Sequence, residues 1–199
     1  MPILIQKLSK AYNGISVFQN VELSLEDGGI YCLLAPSGAG KTTLFRILMG
    51  LEQADSGQIK GIPEGALAVV FQEDRLCPSL TAQKNIQLVH PVITGEELRR
   101  ELLVLLPADS LDKPVAEFSG GMRRRVALMR AMLSPGRLLL MDEPFTGLDE
   151  ETRETAMEYV LKRRRGRTMI FTTHHVEEAE RLSAICIRWQ GQEQNWVVS

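Results

Sequence analysis

The run Pro36, Ser37, Gly38, Ala39, Gly40, Lys41, Thr42, Thr43 sets glycines, a lysine and hydroxyls in the order needed to hold a string of phosphates. Amides of a glycine-rich loop and of the helix behind it can point at phosphate oxygens, Lys41 can reach the β and γ phosphates, and Thr42 can offer its hydroxyl to Mg²⁺. A strict phosphate loop opens with glycine, and Ala35 stands there instead. A methyl group is tolerated where φ stays negative, whereas Gly38 and Gly40 fall where the chain must approach phosphate closely. Further along, Leu138, Leu139, Leu140 and Met141 end in Asp142 and Glu143. That puts two carboxylates at the carboxyl end of a buried strand, where open α/β sheets bind their ligands. Ser119, Gly120 and Gly121 supply another hydroxyl, two approachable amides and a further helix N-terminus, so the chain carries a second phosphate-binding device.

The elements that must hold these groups follow from the hydrophobic period. Runs 3–8 and 17–25 alternate apolar with polar and lead to a turn at Asp27, Gly28 and Gly29, which predicts antiparallel strands. Run 30–34 is continuously apolar, as for a strand buried on both faces, and 41–49 reads as a helix stopped by Gly50. Short buried strands recur at 66–71, 138–141 and 168–172, with a helix over 150–165 before the last of them. Strands alternating with helices predict a mostly parallel, helix-covered sheet. Over 73–119 the pattern is helical alone: Thr81 caps a helix over 82–89, and Thr94 with Glu97 forms a capping box for a helix that ends before Pro107. That block reads as a helical subdomain inserted into an α/β core formed by 1–72 and 120–199.

Composition narrows the function further. The 199 residues carry 23 basic and 25 acidic side chains, a net charge of −2, which gives no electrostatic case for nucleic acid. No apolar run approaches the roughly twenty residues of a membrane-spanning helix. The N-terminus lacks the apolar block of a secretory signal, so a cytoplasmic chain is expected, with any membrane role reached through a partner. Cys32, Cys77 and Cys186 are far apart and read as small reduced hydrophobes. Met122, Met129 and Met132 read as core, and Arg123, Arg124 and Arg125 as a solvated helix face.

With Phe118, Ser119, Gly120, Gly121 and Met122 lying between the phosphate loop and the strand that ends in Asp142 and Glu143, the chain resembles the ATP-binding cassette (ABC) ATPases over nearly its whole length. The resemblance implies an α/β fold of the P-loop NTPase class: a mostly parallel core sheet, N-terminal antiparallel strands and an inserted helical subdomain. It implies ATP and Mg²⁺ as ligands, with Ser37, Gly38, Ala39, Gly40, Lys41, Thr42 and Thr43 around the phosphates and Tyr12 stacked on adenine, a contact worth about 0.5–1.5 kcal/mol. Asp142 then holds Mg²⁺ through water, and Glu143 activates the attacking water. Gln72 resembles the glutamine that senses Mg²⁺ and water, and His174, after Thr172 and Thr173, resembles the switch histidine. In the family Ser119, Gly120 and Gly121 face the γ-phosphate bound by another copy, and Asp149, in the run from Thr146, lies at that dimer interface.

Besides Ala35, three positions depart from the usual pattern: Phe118 for leucine, Met122 for glutamine, and His175 where an acid commonly follows the histidine. None removes the Ser-Gly-Gly core. The run Glu73, Asp74, Arg75, Leu76, Cys77, Pro78 looks like the corresponding loop of importers for nitrate, sulfonate and related solutes. The implied partners are a second copy, a transmembrane permease that docks at Arg75, Leu76, Cys77, Pro78 and Leu80, and a solute-binding protein; the implied place is the inner face of the cell membrane. The alternative is a soluble cassette acting in cofactor assembly, translation or DNA handling. The chain has neither the long coiled coil nor the second cassette expected of the last two. A P-loop kinase would leave Ser119, Gly120 and Gly121 without a task.

Overall fold

The computed structural model describes residues 1–36, 38–62, 65, 67–191, 193 and 195–198. In chain order, β1 (Ile3–Tyr12) and β2 (Ile15–Leu25) form an antiparallel pair, followed by β3 (Ile30–Leu34), helix α1 (Lys41–Leu48), β4 (Ser56–Lys60) and β5 (Leu67–Val70). Helices α2 (Ala82–Gln87) and α3 (Gly95–Leu105) and two 3-10 turns at 108–110 and 115–117 come next. The chain closes with α4 (Gly120–Leu133), β6 (Leu138–Asp142), α5 (Glu150–Arg164), β7 (Thr168–Thr172), α6 (Val176–Arg181), β8 (Ile185–Gln190) and β9 (Asn195–Val198).

Two sheets result. The N-terminal one has the order β2-β1-β4, and the six-stranded one has the order β5-β6-β7-β3-β8-β9. Strands β5, β6, β7, β3 and β8 are parallel, and β9 adds antiparallel at the edge. The parallel strands are apolar on both faces because both are covered. Tyr31, Leu33, Leu138, Leu140 and Ile170 pack with Phe45 and Leu48 of α1 and with Ile5, Phe18 and Val21 of the N-terminal sheet. Their alternates Cys32, Leu139, Met141, Met169 and Phe171 pack on the opposite side with α4, α5 and α6.

The helical segment joins this second layer. Ala82, Ile86, Leu98 and Leu102 share one cluster with Val126 and Met129 of α4 and Met157 and Val160 of α5. Thr81 caps α2 by accepting from the Lys84 amide, and Thr94 and Glu97 close the capping box of α3. Tyr159 of α5 donates to Glu101 of α3 at 3.2 Å, and Arg163 pairs with the same carboxylate.

Several expectations change. β1 and β2 run longer than their alternating cores, and β4, α6, β8 and β9 have weak sequence patterns. β4 is a mostly exposed edge strand, admitted where Gly57 presses against the Lys7 backbone. Cys32 keeps its expected burial, where desolvation pushes its thiol up, and Cys77 is exposed, in line with its expected place in the docking loop. Residue 66, expected to open β5, lies outside the described residues.

Leu102 is 1% exposed and its neighbour Leu103 is 48% exposed. Leu102→Ala should therefore cost about 2–5 kcal/mol, and Leu103→Ala less than about 0.5 kcal/mol. Urea midpoints at constant m-value read this directly; equal costs would mean that the helical segment is not packed as described.

Candidate functional site

Parallel strands place their carboxyl ends on one edge. Because β5, β6, β7 and β3 are neighbours in that order, the loops after all four open into one cleft. Its volume is about 270 Å³ and its walls include Gly38, Gly40, Lys41, Thr42, Thr43, Gln72, Asp142, Glu143 and His174. The strand register fixes the depth of each group: Leu33 and Asp142 both pair with Thr172.

The phosphate loop follows β3. Gly38 and Gly40 both have φ of +83°, which glycine adopts without strain. At Gly40 a Cβ would also lie 2.5 Å from Val17 Cγ1. Ala35 is absent from the residues with positive φ, so its methyl group is accommodated. Ser37 lies outside the described residues, and Ala39 is buried. Lys41 Nζ donates to the carbonyls of Ala35 at 2.7 Å and Pro36 at 3.1 Å. Burial pulls its pKa down, against the opposing pull of the Glu143 and Asp142 charges. A half-desolvated ammonium held by carbonyl dipoles at the N-terminus of α1 is suited to polyphosphate.

The carboxylates are held by one hydroxyl. Thr172 Oγ1 donates to Asp142 Oδ1 at 2.6 Å and accepts the Glu143 amide at 2.9 Å. Glu143 has φ of +48°, uncommon for a residue with a side chain. Its Oε1 lies 2.8 Å from His174 Nε2, and its Oε2 accepts from Thr146 Oγ1 at 3.2 Å. Next to His174, Thr173 Oγ1 donates to the buried Glu178 at 2.6 Å, and the His175 amide donates to Thr173 Oγ1. Thr42, Gln72 and Asp142 all line the cleft, and oxygen groups of these kinds suit Mg²⁺.

Other expected site residues lie elsewhere. Ser119, Gly120 and Gly121 open α4, with Ser119 Oγ accepting from the Met122 amide at 3.2 Å, and they do not line the cleft. Asp149 caps α5 by accepting from the Thr152 amide at 2.9 Å and the Thr152 hydroxyl at 2.9 Å. Tyr12 is 44% exposed at the end of β1 and is also outside the cleft wall. Its hydroxyl donates to Glu52, which raises the Tyr12 pKa and lowers that of Glu52, and Lys10 Nζ lies 5.1 Å from its ring centre.

The arginine run is not a solvated face. Arg124 is 4% exposed and donates to the carbonyls of Phe71, Asp142 and Glu143, while Arg125 donates to the Leu105 carbonyl and Arg123 to that of Phe118. The expected docking loop is also partly inward: Leu76 packs against the core. Thr172, Val17 and Arg124 were not anticipated as part of the site. The doubled threonine before His174 was the available signal for Thr172; for Arg124, whose partners lie far away in sequence, there was none.

The description "ABC transporter" matches residues 18–146 as a family model. The chain belongs to the ABC transporter family. The ABC cassette is an ATPase that takes ATP with Mg²⁺, and the cleft described above is where its phosphate loop lies. Among similar proteins is the aliphatic sulfonates import ATP-binding protein SsuB 1 of Pseudomonas savastanoi pv. phaseolicola, 42% identical over 180 residues, covering 87% of this chain and 74% of the relative. The Nod factor export ATP-binding protein I of Burkholderia orbicola is 35% identical over 210 residues, covering 96% and 69% respectively. Among solved structures, the dimeric post-hydrolysis state of the ATP-binding cassette MJ0796 bound to ADP and Pi has a TM-score of 0.83 at 24% identity, covering 98% of this chain and 96% of that one.

Thr172→Val keeps the shape of the buried side chain but removes both hydrogen bonds. The cassette should lose about 1–3 kcal/mol of stability, and its nucleotide binding should respond less to added Mg²⁺. Thermal unfolding with and without Mg²⁺-ATP measures both; an unchanged Mg²⁺ response would separate Thr172 from the carboxylates it touches.

Proposed function

We propose that this chain is the ATP-hydrolysing subunit of an importer of a small solute. It works as a homodimer on the inner face of a membrane, beneath a separate permease, in a system that includes a solute-binding protein. Among the described residues no helix is long and apolar enough to cross a membrane. The greater likeness to the sulfonate import protein than to the Nod factor export protein supports import. In this reading 1–72 and 120–199 are the catalytic core and 73–119 is a helical subdomain that carries the docking loop.

The observation that carries the permease is that loop. Buried Asn85 accepts from the Cys77 amide at 2.7 Å and donates to the carbonyls of Cys77, Leu80 and Thr81. The Ala116 and Val115 amides donate to the carbonyls of Pro78 and Leu80. A backbone satisfied from within leaves Cys77, Pro78 and Ser79 exposed on a rigid platform just beyond Gln72. A rigid, partly apolar platform suits a helical segment of a partner.

The chemistry follows from the cleft. Lys41 and the loop amides bind the β and γ phosphates, and Tyr12 offers its exposed ring to adenine. Thr42, Gln72 and Asp142 would hold Mg²⁺, which would supply positive charge against that of the phosphates. Glu143 orients a water and takes its proton as the new bond to phosphorus forms and the bond to the bridging oxygen breaks, leaving ADP. His174, beside Glu143 Oε1, steadies the carboxylate and meets the γ-phosphate. Ser119, Gly120 and Gly121 lie outside this chain's cleft and serve the second copy's nucleotide, with Asp149 at the same interface.

Glu143→Gln should slow hydrolysis by about 10²–10⁴ while leaving ATP binding intact, and it should trap an ATP-bound dimer visible by light scattering; full turnover in the variant would remove Glu143 from the reaction. Lys41→Ala should abolish nucleotide binding, and Tyr12→Ala should weaken it modestly. A fluorescence titration ranks the two, and the reverse order would mean that the binding energy sits elsewhere. Cys77 should label rapidly with a thiol reagent in the isolated chain and be protected in the complex purified from native membranes. A stable multi-spanning partner in that complex supports the transporter reading; equal labelling in both states would place the permease elsewhere.

A further inference from the structure

The guanidinium of Arg124 joins two parts of the cassette that the chemistry above treats separately. It sits on α4, the helix opened by Ser119, Gly120 and Gly121, and it is buried. Its Nη1 donates to the carbonyls of Phe71 at 2.6 Å and Gln72 at 3.3 Å and lies 3.4 Å from Asp74 Oδ1. Its Nη2 donates to the carbonyls of Asp142 at 2.5 Å and Glu143 at 2.6 Å, and its Nε to that of Pro144 at 3.2 Å. One planar group therefore grips the loop that carries Gln72 and the loop that carries Glu143. Arg130, further along α4, grips the carbonyls of Asp74 and Arg75 at 2.9 and 2.7 Å.

This grip has consequences for position. The left-handed backbone of Glu143 is held from outside, by Thr172 on its amide and by Arg124 on its carbonyl. A guanidinium presents its donors in a fixed fork, so a displacement of α4 carries both loops with it; an ammonium on a flexible stem would not. One turn before Arg124, the N-terminus of α4 at Ser119, Gly120 and Gly121 does not line this chain's cleft. On the dimer reading proposed above, on which this inference rests, that end is seated on the second copy's nucleotide.

We propose that Arg124 is a positioning residue that couples the two nucleotide sites of the dimer. When Ser119, Gly120 and Gly121 seat on one ATP, α4 is fixed, and through Arg124 it sets Gln72 and Glu143 for hydrolysis of the other. The chemical step is unchanged, and Arg124 touches no reacting atom. The coupling makes hydrolysis cooperative in ATP, because a site is best arranged when its neighbour is filled.

The test uses the full chain carrying Arg124→Lys or Arg124→Gln. Three quantities are measured: binding of trinitrophenyl-ATP by the dilute chain, ATPase rate against ATP concentration, and dimer formation with ATP in the Glu143→Gln background. Expected are unchanged binding, a kcat lower by about 10²-fold, the cost of a small misplacement, and a Hill coefficient that falls from above one in the parent to about one. Should Arg124→Gln fail to fold, as judged by thermal unfolding, Arg124→Lys keeps the buried charge opposite Asp74 and carries the same test. A variant that retains the parent's Hill coefficient while dimers form overturns the coupling, even if kcat falls. If the Glu143→Gln chain forms no dimer with ATP, the dimer reading itself falls, and the coupling falls with it.

Discussion

The site depends on a single constraint: four parallel strands, buried on both faces, must end together at one edge. Each of β5, β6, β7 and β3 is four or five residues long and almost wholly apolar within, so the polar groups that reach the cleft come at or just past its carboxyl end. Burial therefore does more than stabilise. It fixes the register, and the register delivers Asp142 beside Thr172 and the start of the phosphate loop beside both. A slip of one residue in β6 would turn its apolar set over and withdraw the carboxylates from the cleft.

Around that edge the loops are held by side chains rather than by their own regular structure. Thr172 bridges the two acids, Asn85 fixes the Cys77–Thr81 turn, and Arg124 and Arg130 hold the segment from Phe71 to Arg75. Each clamp satisfies backbone carbonyls or amides of irregular segments, and a hydrogen bond of this kind is worth about 0.5–1.5 kcal/mol. Local order at the cleft is thus imposed from the helical layer, and α4 supplies much of it. The same helix opens with Ser119, Gly120 and Gly121, which do not line the cleft. On the proposed reading, Ser119, Gly120 and Gly121 complete the site of a second copy.

Much of this was legible in the sequence, for a physical reason. Phosphate binding needs particular backbone geometry at particular spacing, so Gly38, Gly40 and Lys41 announce themselves locally. Asp142 and Glu143 are marked by the apolar strand they close, and Thr94 with Glu97 by the reciprocal cap. What stayed hidden depends on distant partners. Arg123, Arg124 and Arg125 look like a solvated helix face because the carbonyls that receive Arg124 come from positions near 71 and 143. β4 and β9 lie at sheet edges, where one side is open and the alternation is diluted, and Gly57 gives β4 a residue that weakens any strand reading. The inward packing of Leu76 likewise follows from the neighbouring helices and not from its own loop.

On the proposed reading a working site needs two copies of the chain, with Ser119, Gly120 and Gly121, which do not line the cleft that holds Lys41 and Glu143, supplied by the second. The most direct measurement is specific ATPase activity on serial dilution in saturating Mg²⁺-ATP, with particle mass followed at the same concentrations. The account predicts that activity per chain falls as the dimer dissociates and returns on reconcentration. A monomer that hydrolyses ATP at the full rate would contradict it.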